Sequence, residues 1–379
     1  MARPYRGLVA VLALGACVVA ACGAPSAPSV PGGAGNTSAG AGKTSVGSQV
    51  ASGQPAAAVS APTAAASQAA PPPGTLHTLQ LGTLGLTGSF YPVWVAMRQG
   101  YFHEHGVQVE WNSVQVAEAI TGLVSGSLDL SLASTDTALI ALTKGAGLHL
   151  VADFWEQAPY DLIVRPEITS VADLRGKKVG VSTLRGGSGT TTRVMLRARG
   201  LADDEYELTA TGGNPQRYVA LQSGGVDAAL LSDPVNFLAR LDGYRVLMSF
   251  PDVMRDYAFV TTWVTDDWLA SADNREALTG FLAAAIRAKA WALEPANREA
   301  LLQVWMDETH SERRTVEVMY EDYVEKHPEQ VDFADVQEAP LRAVEQVMHD
   351  LDDLPPLPPD SQWIDRGYTE RARQLAAGR

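Results

Sequence analysis

Two hydrophobic patterns alternate along residues 77–264, one repeating at every second residue and the other at helical spacing. Residues 78–84 alternate in polarity as a strand does, and residues 92–99 then carry apolar side chains at helical spacing before Gly100. The same criteria predict further strands at 107–111, 128–133, 149–154, 160–164, 178–182, 207–211, 227–231, 244–248 and 257–264, and further helices at 117–125, 136–144, 171–174, 190–199, 215–223 and 234–240. Strands and helices that alternate at this spacing predict an α/β protein with a mostly parallel sheet and helices on both faces.

The pattern restarts once and then changes. A second α/β unit begins after residues 160–164, and residues 273–352 are helical in pattern. A proline-rich segment at 355–359 precedes one last short helix. The folded region from His77 onward contains roughly 300 residues, which is enough for two substantial globular domains.

The first 22 residues have the pattern of an export signal. Arg3 and Arg6 give a positive start, and the apolar stretch that follows has about 15 residues, fewer than the roughly 20 that a membrane-spanning helix needs. The stretch ends in Val-Ala-Ala-Cys22, which resembles the cleavage site of bacterial lipoproteins. We therefore expect residues 1–22 to be a lipoprotein signal peptide with Cys22 as the lipid-bearing residue. The alternative is an ordinary secretory signal with a chance cysteine near its end.

Residues 23–76 predict a disordered tether. Residues 23–73 are almost entirely Ala, Gly, Ser, Pro, Thr and Val, and Lys43 is their only charged residue. Such a segment has too little apolar surface to offset the loss of backbone entropy on folding. A flexible coil of about 50 residues spans roughly 40 Å, so it would keep a folded domain close to a membrane.

Charge and cysteine content exclude several classes of function. A formal net charge of −14 disfavours nucleic acid or an anionic membrane surface as a partner. Cys17 lies within the signal and Cys22 is assigned to lipid, so the mature chain would have no thiol for a disulfide, a metal or catalysis. His103-Glu104-His105 falls at a polar helix end, where an exposed turn is a simpler interpretation than a metal site. We expect no metal, no cofactor and no catalytic residue.

A set of motifs appears in a fixed order along the chain. The motifs are Ser89-Phe90-Tyr91-Pro92, Gly100-Tyr101-Phe102, the segment GSLDL at 126–130, ITSVADLRGKKVGV at 168–181 and ALQSGGVDAA at 220–229. Each motif alone is weak, and the segment 168–181 is the most specific of them. Taken together, residues from about 78 to 325 resemble periplasmic solute-binding proteins of the sulfonate, taurine, nitrate and thiamine-precursor importers.

This resemblance implies a two-lobed periplasmic binding protein fold of type 2. Crossing strands would form a hinge between the lobes, and a C-terminal helical extension would follow. The first lobe would comprise residues 77–163 and 258–379, and the second residues 164–257. A ligand between the lobes agrees with the rule that open α/β sheets bind ligands beyond the carboxyl ends of their strands. The segment 355–359 and the last helix lie outside the matched span.

Candidate ligand-binding residues are polar or aromatic side chains in the loops that follow strands. They are Ser89, Phe90, Tyr91, Ser134, Thr135, Asp136, Trp155, Ser188, Gly189, Thr190, Gly213, Asn214 and Asp233. The glycine-rich turn 186–190 opens a helix whose free N–H groups and partial positive charge suit a sulfonate, phosphate or carboxylate. The alternative for the hydroxyl and carboxyl side chains is a helix cap. Trp94, at helical spacing, is better interpreted as a core residue.

The function implied by the resemblance is solute capture for a membrane importer. We expect a monomeric, lipid-anchored binding protein on the extracytoplasmic face of the cell membrane that delivers a small organic molecule to a permease with its own ATPase. A sulfonate-, taurine- or nitrate-like anion is favoured. A thiamine-type pyrimidine or riboflavin-type heterocycle is the alternative, since Asp136, Glu156 and Asp233 would suit a cationic or amino-bearing ring. Two other classes stay open, namely an enzyme on the same fold acting on a thiamine-precursor-like substrate, and a sensor subunit that hands its ligand to a receptor kinase.

Overall fold

The strands of the protein form two separate five-stranded sheets. In a computed structural model, residues 76–155, 159–185, 187–351 and 354–378 are described. Within them the strands are β1 (His77–Leu84), β2 (Val107–Val114), β3 (Leu130–Ser134), β4 (Leu148–Trp155), β5 (Asp161–Val164), β6 (Lys178–Val181), β7 (Glu207–Ala210), β8 (Ala228–Leu231), β9 (Arg245–Ser249) and β10 (Val260–Thr265). The predicted signal peptide with Cys22, nearly all of the predicted tether, Glu156 and Gly186 lie outside the described residues.

Each sheet has four strands in one direction and one opposed strand. The first sheet has the order β2-β1-β3-β10-β4 and the second the order β7-β6-β8-β5-β9. β10 is antiparallel to both of its neighbours in the first sheet, and β5 is antiparallel to both of its neighbours in the second. The predicted parallel arrangement therefore holds for four strands of each sheet. The exceptions are the two strands by which the chain enters a sheet from the other one.

Helices cover both sheets and make up most of the C-terminal region. They are α1 (Tyr91–Gln99), α2 (Tyr101–Glu104), α3 (Val116–Ser125), α4 (Thr135–Thr143), α5 (Gly187–Arg197), α6 (Asn214–Gln222), α7 (Val235–Leu241), α8 (Asp266–Leu269), α9 (Ala272–Leu293), α10 (Arg298–Thr309), α11 (Arg313–Tyr320), α12 (Glu338–Asp350) and α13 (Tyr368–Ala377). α9 packs against α1 and α13, and α12 packs against α4. In the described part of the chain, every helix is too short or too polar to span a bilayer.

Two crossing segments join the sheets, and they lie side by side. We call residues 161–249 the second lobe, and residues 76–155 together with 260–378 the first lobe. Where the chain leaves β4 and later returns to β10, Phe259 N–H donates to the Trp155 carbonyl at 3.0 Å and Phe250 N–H donates to the Tyr160 carbonyl at 2.8 Å. The predicted lobe boundary between 163 and 164 falls inside β5, whose four residues all pair in the second sheet.

Two buried carboxylates connect the lobes in a reciprocal way. In the first lobe Asp136 lies in the first turn of α4, and its Oδ2 accepts from Gly187 N–H, the first residue of α5 in the second lobe, at 2.6 Å. In the second lobe Asp233 precedes α7, and its Oδ2 accepts from Gly88 N–H, which opens a short 3₁₀ helix in the first lobe. Asp136 is 4% exposed and Asp233 is fully buried. Each lobe thus supplies a carboxyl oxygen that accepts from the N–H at a helix start of the other lobe.

The C-terminal extension completes the exposed edge of the first sheet. Leu150 N–H of the edge strand β4 donates to the Trp363 carbonyl at 2.8 Å, and bridges link β4 to Val331 and Ile364. The Trp363 indole stacks on Trp263 with ring centroids 6.1 Å apart, and its N–H donates to the carbonyl of a proline in the proline-rich segment at 3.1 Å. The extension therefore pairs an edge that would otherwise present free backbone groups.

Replacing Trp363 with alanine should destabilise the protein strongly. The side chain is 1% exposed and fills the space between β10 and the proline-rich segment, so its loss removes both burial and a buried hydrogen bond. We expect the free energy of unfolding to fall by about 3–5 kcal/mol, measured by chemical denaturation. Gln362→Ala, at the exposed neighbouring position, is the control. Equal stability of the two variants would show that the extension does not stabilise the first sheet.

The buried carboxyl of Asp233 should make stability depend on pH. Burial raises the pKa of Asp233 from its ordinary value of 3.8 to about 7, although the Gly88 N–H bond acts in the opposite direction. Because the folded state binds this proton more tightly than the unfolded state, the contribution is largest at low pH and is lost as the pH rises through about 7. The difference between the free energies of unfolding of the native protein and of Asp233→Asn should therefore decrease as the pH rises from 3.8 to about 7. Denaturation at several pH values measures it, and a flat or rising difference contradicts the assignment.

Candidate ligand-binding site

A cavity of about 410 Å³ lies between the lobes. The first lobe lines it with the end of β1, the loop between β2 and α3, the end of β4 and the start of β10. The second lobe lines it with residues that directly follow β6 and β8 and with the first turn of α6. The cavity is therefore at the carboxyl ends of parallel strands, the position at which open α/β sheets bind ligands.

Aromatic side chains form one wall of the cavity. Phe90, Trp155, Tyr160 and Phe259 all line it. The Phe259 ring meets Trp155 edge to face at 5.7 Å and Tyr160 edge to face at 5.2 Å. Three of these residues lie on or next to the crossing segments, so the wall is built where the two lobes meet. Such a wall suits the apolar or flat part of a small molecule.

Arg217 is the only cationic side chain among the described residues that line the cavity. It lies in the first turn of α6 and is 3% exposed, and burial lowers its pKa. Nη1 donates to the Gly212 carbonyl at 3.0 Å and Nη2 donates to Oδ1 of Asn214. Nε has no hydrogen-bond partner in the described part of the chain. A cation at a helix start is electrostatically unfavourable, and an anion placed beside it would remove that penalty.

Asn214 holds this arginine in place. Its Nδ2 donates to the Ser232 hydroxyl at 2.5 Å, and its Oδ1 accepts from Ser232 N–H at 3.1 Å as well as from Arg217. The amide therefore ties the start of α6 to the residue that follows β8. The guanidinium is fixed before any ligand arrives, which lowers the entropic cost of binding.

Asp233 is the only acidic side chain among the described cavity-lining residues. Its Oδ2 is engaged by Gly88 N–H of the other lobe, and the Tyr323 hydroxyl lies beside the carboxyl. Its Oδ1 has no partner in the ranges that the structure describes. The cavity thus contains one buried cation and one buried acid, each with one atom left unsatisfied.

The structure brings together five of the thirteen predicted ligand residues in this cavity. They are Phe90, Trp155, Gly213, Asn214 and Asp233. Ser89 is buried beneath it with its hydroxyl on Thr87, and Tyr91 packs against Trp305 and Tyr323.

The remaining predicted residues belong to contacts within and between the lobes. Ser134 donates its hydroxyl to Asp136, and the Thr135 hydroxyl contacts that of Thr261 at 2.9 Å. Thr190 is 1% exposed in the first turn of α5. None of these residues is among the described ones that line the cavity.

The predicted glycine-rich turn is helical from Gly187 onward. Ser188 does not face an open cleft, because its hydroxyl contacts the Ser182 hydroxyl and accepts from Ser182 N–H, both at 2.7 Å. At Gly189 a Cβ would lie 2.3 Å from the Thr183 carbonyl oxygen, so glycine is required by this close packing. The start of α5 also carries the Asp136 carboxylate. The place expected for a ligand anion is therefore already occupied by a negative group of the chain itself.

Arg217, Tyr160 and Phe259 line the cavity and were not predicted from the sequence. For Arg217 a signal existed, since a cation stands in the first turn of a helix that directly follows a strand, where acidic or neutral residues are preferred. For Tyr160 and Phe259 the sequence shows only aromatic residues at strand ends. Their meeting depends on the two crossing segments lying side by side.

Solved structures with the same fold include three proteins that are named for the small anions they bind. The alkanesulfonate-binding protein SsuA from Xanthomonas axonopodis pv. citri, solved with MOPS, has a TM-score of 0.63 and 16% identity, covering 77% of this chain and 100% of its own. The aliphatic sulphonate binding protein SsuA from Escherichia coli has a TM-score of 0.60 and 19% identity, with coverage of 76% and 92%. The nitrate-binding protein NrtA from Synechocystis PCC 6803 has a TM-score of 0.62 and 16% identity, with coverage of 79% and 89%.

The sequence itself matches a family profile. No curated protein matches the chain. The profile described as NMT1/THI5 like matches residues 87–298, which is more than half of the chain and extends from the 3₁₀ helix under the cavity to the start of α10. The chain therefore belongs to the NMT1/THI5-like family, and its two lobes have the fold of the periplasmic binding proteins.

Proposed function

We propose that this protein is the lipid-anchored substrate-binding protein of an ABC importer, and that it holds a small organic anion in the cavity between its lobes. The observation that carries the proposal is Arg217, a buried guanidinium fixed by Asn214 with its Nε left without a partner in the described residues. An anionic group at this position would be bound by the guanidinium and by the N–H groups at the start of α6 together.

The relatives support transport. The solved structures of similar fold are named for binding alkanesulfonates, aliphatic sulphonates and nitrate. We infer the same kind of role here, with capture on the extracytoplasmic face by a monomer and delivery to a permease and its ATPase. The described residues that line the cavity include no histidine, cysteine or lysine, so the site supplies groups for binding and few for covalent chemistry.

Binding is proposed to be coupled to the movement of the lobes. The cavity walls come from both lobes, so a ligand that contacts Arg217 in the second lobe and Phe90 in the first favours the closed arrangement. The Asp136 and Asp233 contacts act in the same direction, because each joins a carboxylate of one lobe to a helix start of the other. The closed form is the one that the permease would recognise.

Replacing Arg217 with glutamine should weaken the binding of an organic sulfonate. Benzenesulfonate is a suitable probe, because its anionic group fits the guanidinium and its ring fits the aromatic wall. We expect more than a tenfold loss of affinity, which is about 1.4 kcal/mol or more, measured by titration calorimetry beside a thermal melt that checks folding. The exposed Arg199 on the same lobe provides the matched control, Arg199→Gln. If both variants bind the probe as the native protein does, the anion is not held by Arg217.

Membrane attachment should depend on Cys22. Because a cysteine directly follows the small residues that end the apolar stretch, Cys22→Ala should move the protein from the membrane fraction to the soluble extracytoplasmic fraction. The matched control is Cys17→Ala, a change inside the predicted signal that should leave the protein membrane-bound. Fractionation and immunoblotting distinguish the two. A Cys22→Ala protein that stays with the membrane would contradict lipid anchoring.

A further inference from the structure

Gly88 is held on both sides of the contact between the lobes. Its N–H donates to Oδ2 of Asp233 in the second lobe, and its carbonyl accepts from the indole N–H of Trp305 at 2.8 Å. Trp305 lies in α10 of the first lobe and is fully buried. One glycine therefore connects a carboxyl group of the second lobe to a C-terminal helix of the first lobe.

The space around Gly88 is filled by the groups that hold it. A Cβ at this position would overlap Cε of Met319, and it would lie 2.8 Å from Oδ2 of Asp233 and 3.2 Å from Nε1 of Trp305. Met319 belongs to α11, so the surroundings of this glycine come from α10, α11 and the second lobe. The contact between the lobes is thus packed directly against the C-terminal helices.

The Asp233 carboxyl is held by the same C-terminal region. The Tyr323 hydroxyl lies beside this carboxyl, and Tyr323 belongs to a π-helical segment, Glu321–Lys326, that directly follows α11. Its ring packs against Trp305 with ring centroids 6.2 Å apart. π-helical segments are rare and are frequently found at functional positions. Two aromatic residues of the C-terminal region therefore hold the two partners of the contact, Trp305 the glycine and Tyr323 the carboxyl.

The helices that follow α10 also contact the second lobe. Arg314 of α11 forms an ion pair with Asp242, the residue directly after α7, at 3.3 Å. Arg197 of α5 donates to the carbonyl of Asp350, the last residue of α12, at 3.1 Å. These contacts are exposed, and exposed ion pairs contribute little to stability. The contact made through α10 is buried, so it is the one in which the loss of a hydrogen bond has a large effect.

The bond from Trp305 favours closed lobes although both of its partners belong to the first lobe. While the lobes are together, Gly88 is buried, and without the indole N–H its carbonyl would be a buried acceptor with no donor. When the lobes separate, Gly88 loses Asp233 and its peptide group is open to water, which can replace a missing donor. Removal of the indole N–H therefore raises the free energy of the closed form more than that of the open form.

We propose that Trp305 is a positioning residue for closure of the lobes. Its indole holds the Gly88 peptide so that the glycine N–H meets the Asp233 carboxyl, and α10 thereby acts on the closed form without contacting the solute. The C-terminal helices then determine how long a bound solute is retained, besides covering the first sheet. This last step rests on the proposed function, whereas the effect on closure does not require a ligand.

Trp305→Phe tests the effect on closure, because phenylalanine keeps a ring and removes the N–H. Hydrogen exchange of the ligand-free protein, resolved by residue, reports opening, since Gly88 N–H and Gly187 N–H both donate across the lobes. We expect both amides to exchange about tenfold faster or more in the variant. Trp263→Phe is the matched control, because this buried indole donates to the Thr261 hydroxyl at 2.7 Å within the first lobe. The control should leave both exchange rates within about threefold of the native values.

The effect on retention is measured with benzenesulfonate as the probe. Stopped-flow dissociation should be about tenfold faster or more in Trp305→Phe and unchanged in Trp263→Phe, because only the first variant destabilises the closed form. If benzenesulfonate does not bind the native protein, the proposed anion site fails, and the exchange measurement still decides whether Trp305 acts on closure.

Two results would overturn the inference. Faster exchange at Gly88 with unchanged exchange at Gly187 would show that only the 3₁₀ helix has loosened and that the lobes have not opened. Equal effects of the Trp305 and Trp263 variants would show that the loss of any buried indole bond is sufficient. If Trp305→Phe folds poorly, benzothienylalanine in place of Trp305 repeats the measurement, since it has nearly the shape of tryptophan with sulfur in place of the N–H.

Discussion

The reciprocal contact between carboxylates and helix starts is the interaction on which the arrangement of the lobes depends. Asp136 and Asp233 are both buried, and each reaches an N–H group of the opposite lobe. Asp136 is well accompanied, since its other oxygen accepts from Thr137 N–H and the Ser134 hydroxyl. Asp233 has hydrogen-bonding groups of Gly88, Ser89 and Tyr323 beside it, but its Oδ1 has no partner in the described part of the chain and burial raises its pKa. The two contacts are therefore alike in geometry and different in electrostatic cost.

The two helix starts of the second lobe also differ in whether they can bind an external anion. The start of α5 is neutralised by Asp136, so it has little remaining attraction for an external anion. The start of α6 carries Arg217 instead, with its side chain folded back on Gly212 and Asn214. Two helices that look equivalent in the alternating pattern thus differ, because the start of α5 joins the lobes and the start of α6 is the one that we propose to bind the ligand.

Much of the fold was predictable because it depends on local patterns. The alternation of strands and helices, the helix stops at glycine and the ordered motifs are all visible in neighbouring residues. The direction of β5 and β10 was not, because it depends on a crossing between sheets that no local pattern encodes.

The candidate site was predictable only in part. Phe90, Trp155 and Asp233 were predicted because they lie at the ends of strands or in the loops that follow them, and the structure places all three at the cavity. Arg217 was missed although a cation in the first turn of a helix is visible in the sequence, because its burial in the cavity is not. The role of Asp136 was missed because its partner is 51 residues away in sequence. Side chains that act within one turn can be inferred from sequence, whereas those that act across the lobes cannot.

The order of strands also has a consequence for how the chain folds. All five strands of the second sheet lie between residues 161 and 249, so that sheet can be completed from one continuous segment. The first sheet cannot be completed from one continuous segment, because its fourth strand is β10. Its edge strand β4 also pairs with residues at Val331 and Ile364. Contacts between distant parts of a chain form slowly, since a long loop must first be closed. During synthesis from the N-terminus, the second lobe can therefore fold before the first lobe. The first lobe is completed only when β10 and the C-terminal extension have been made.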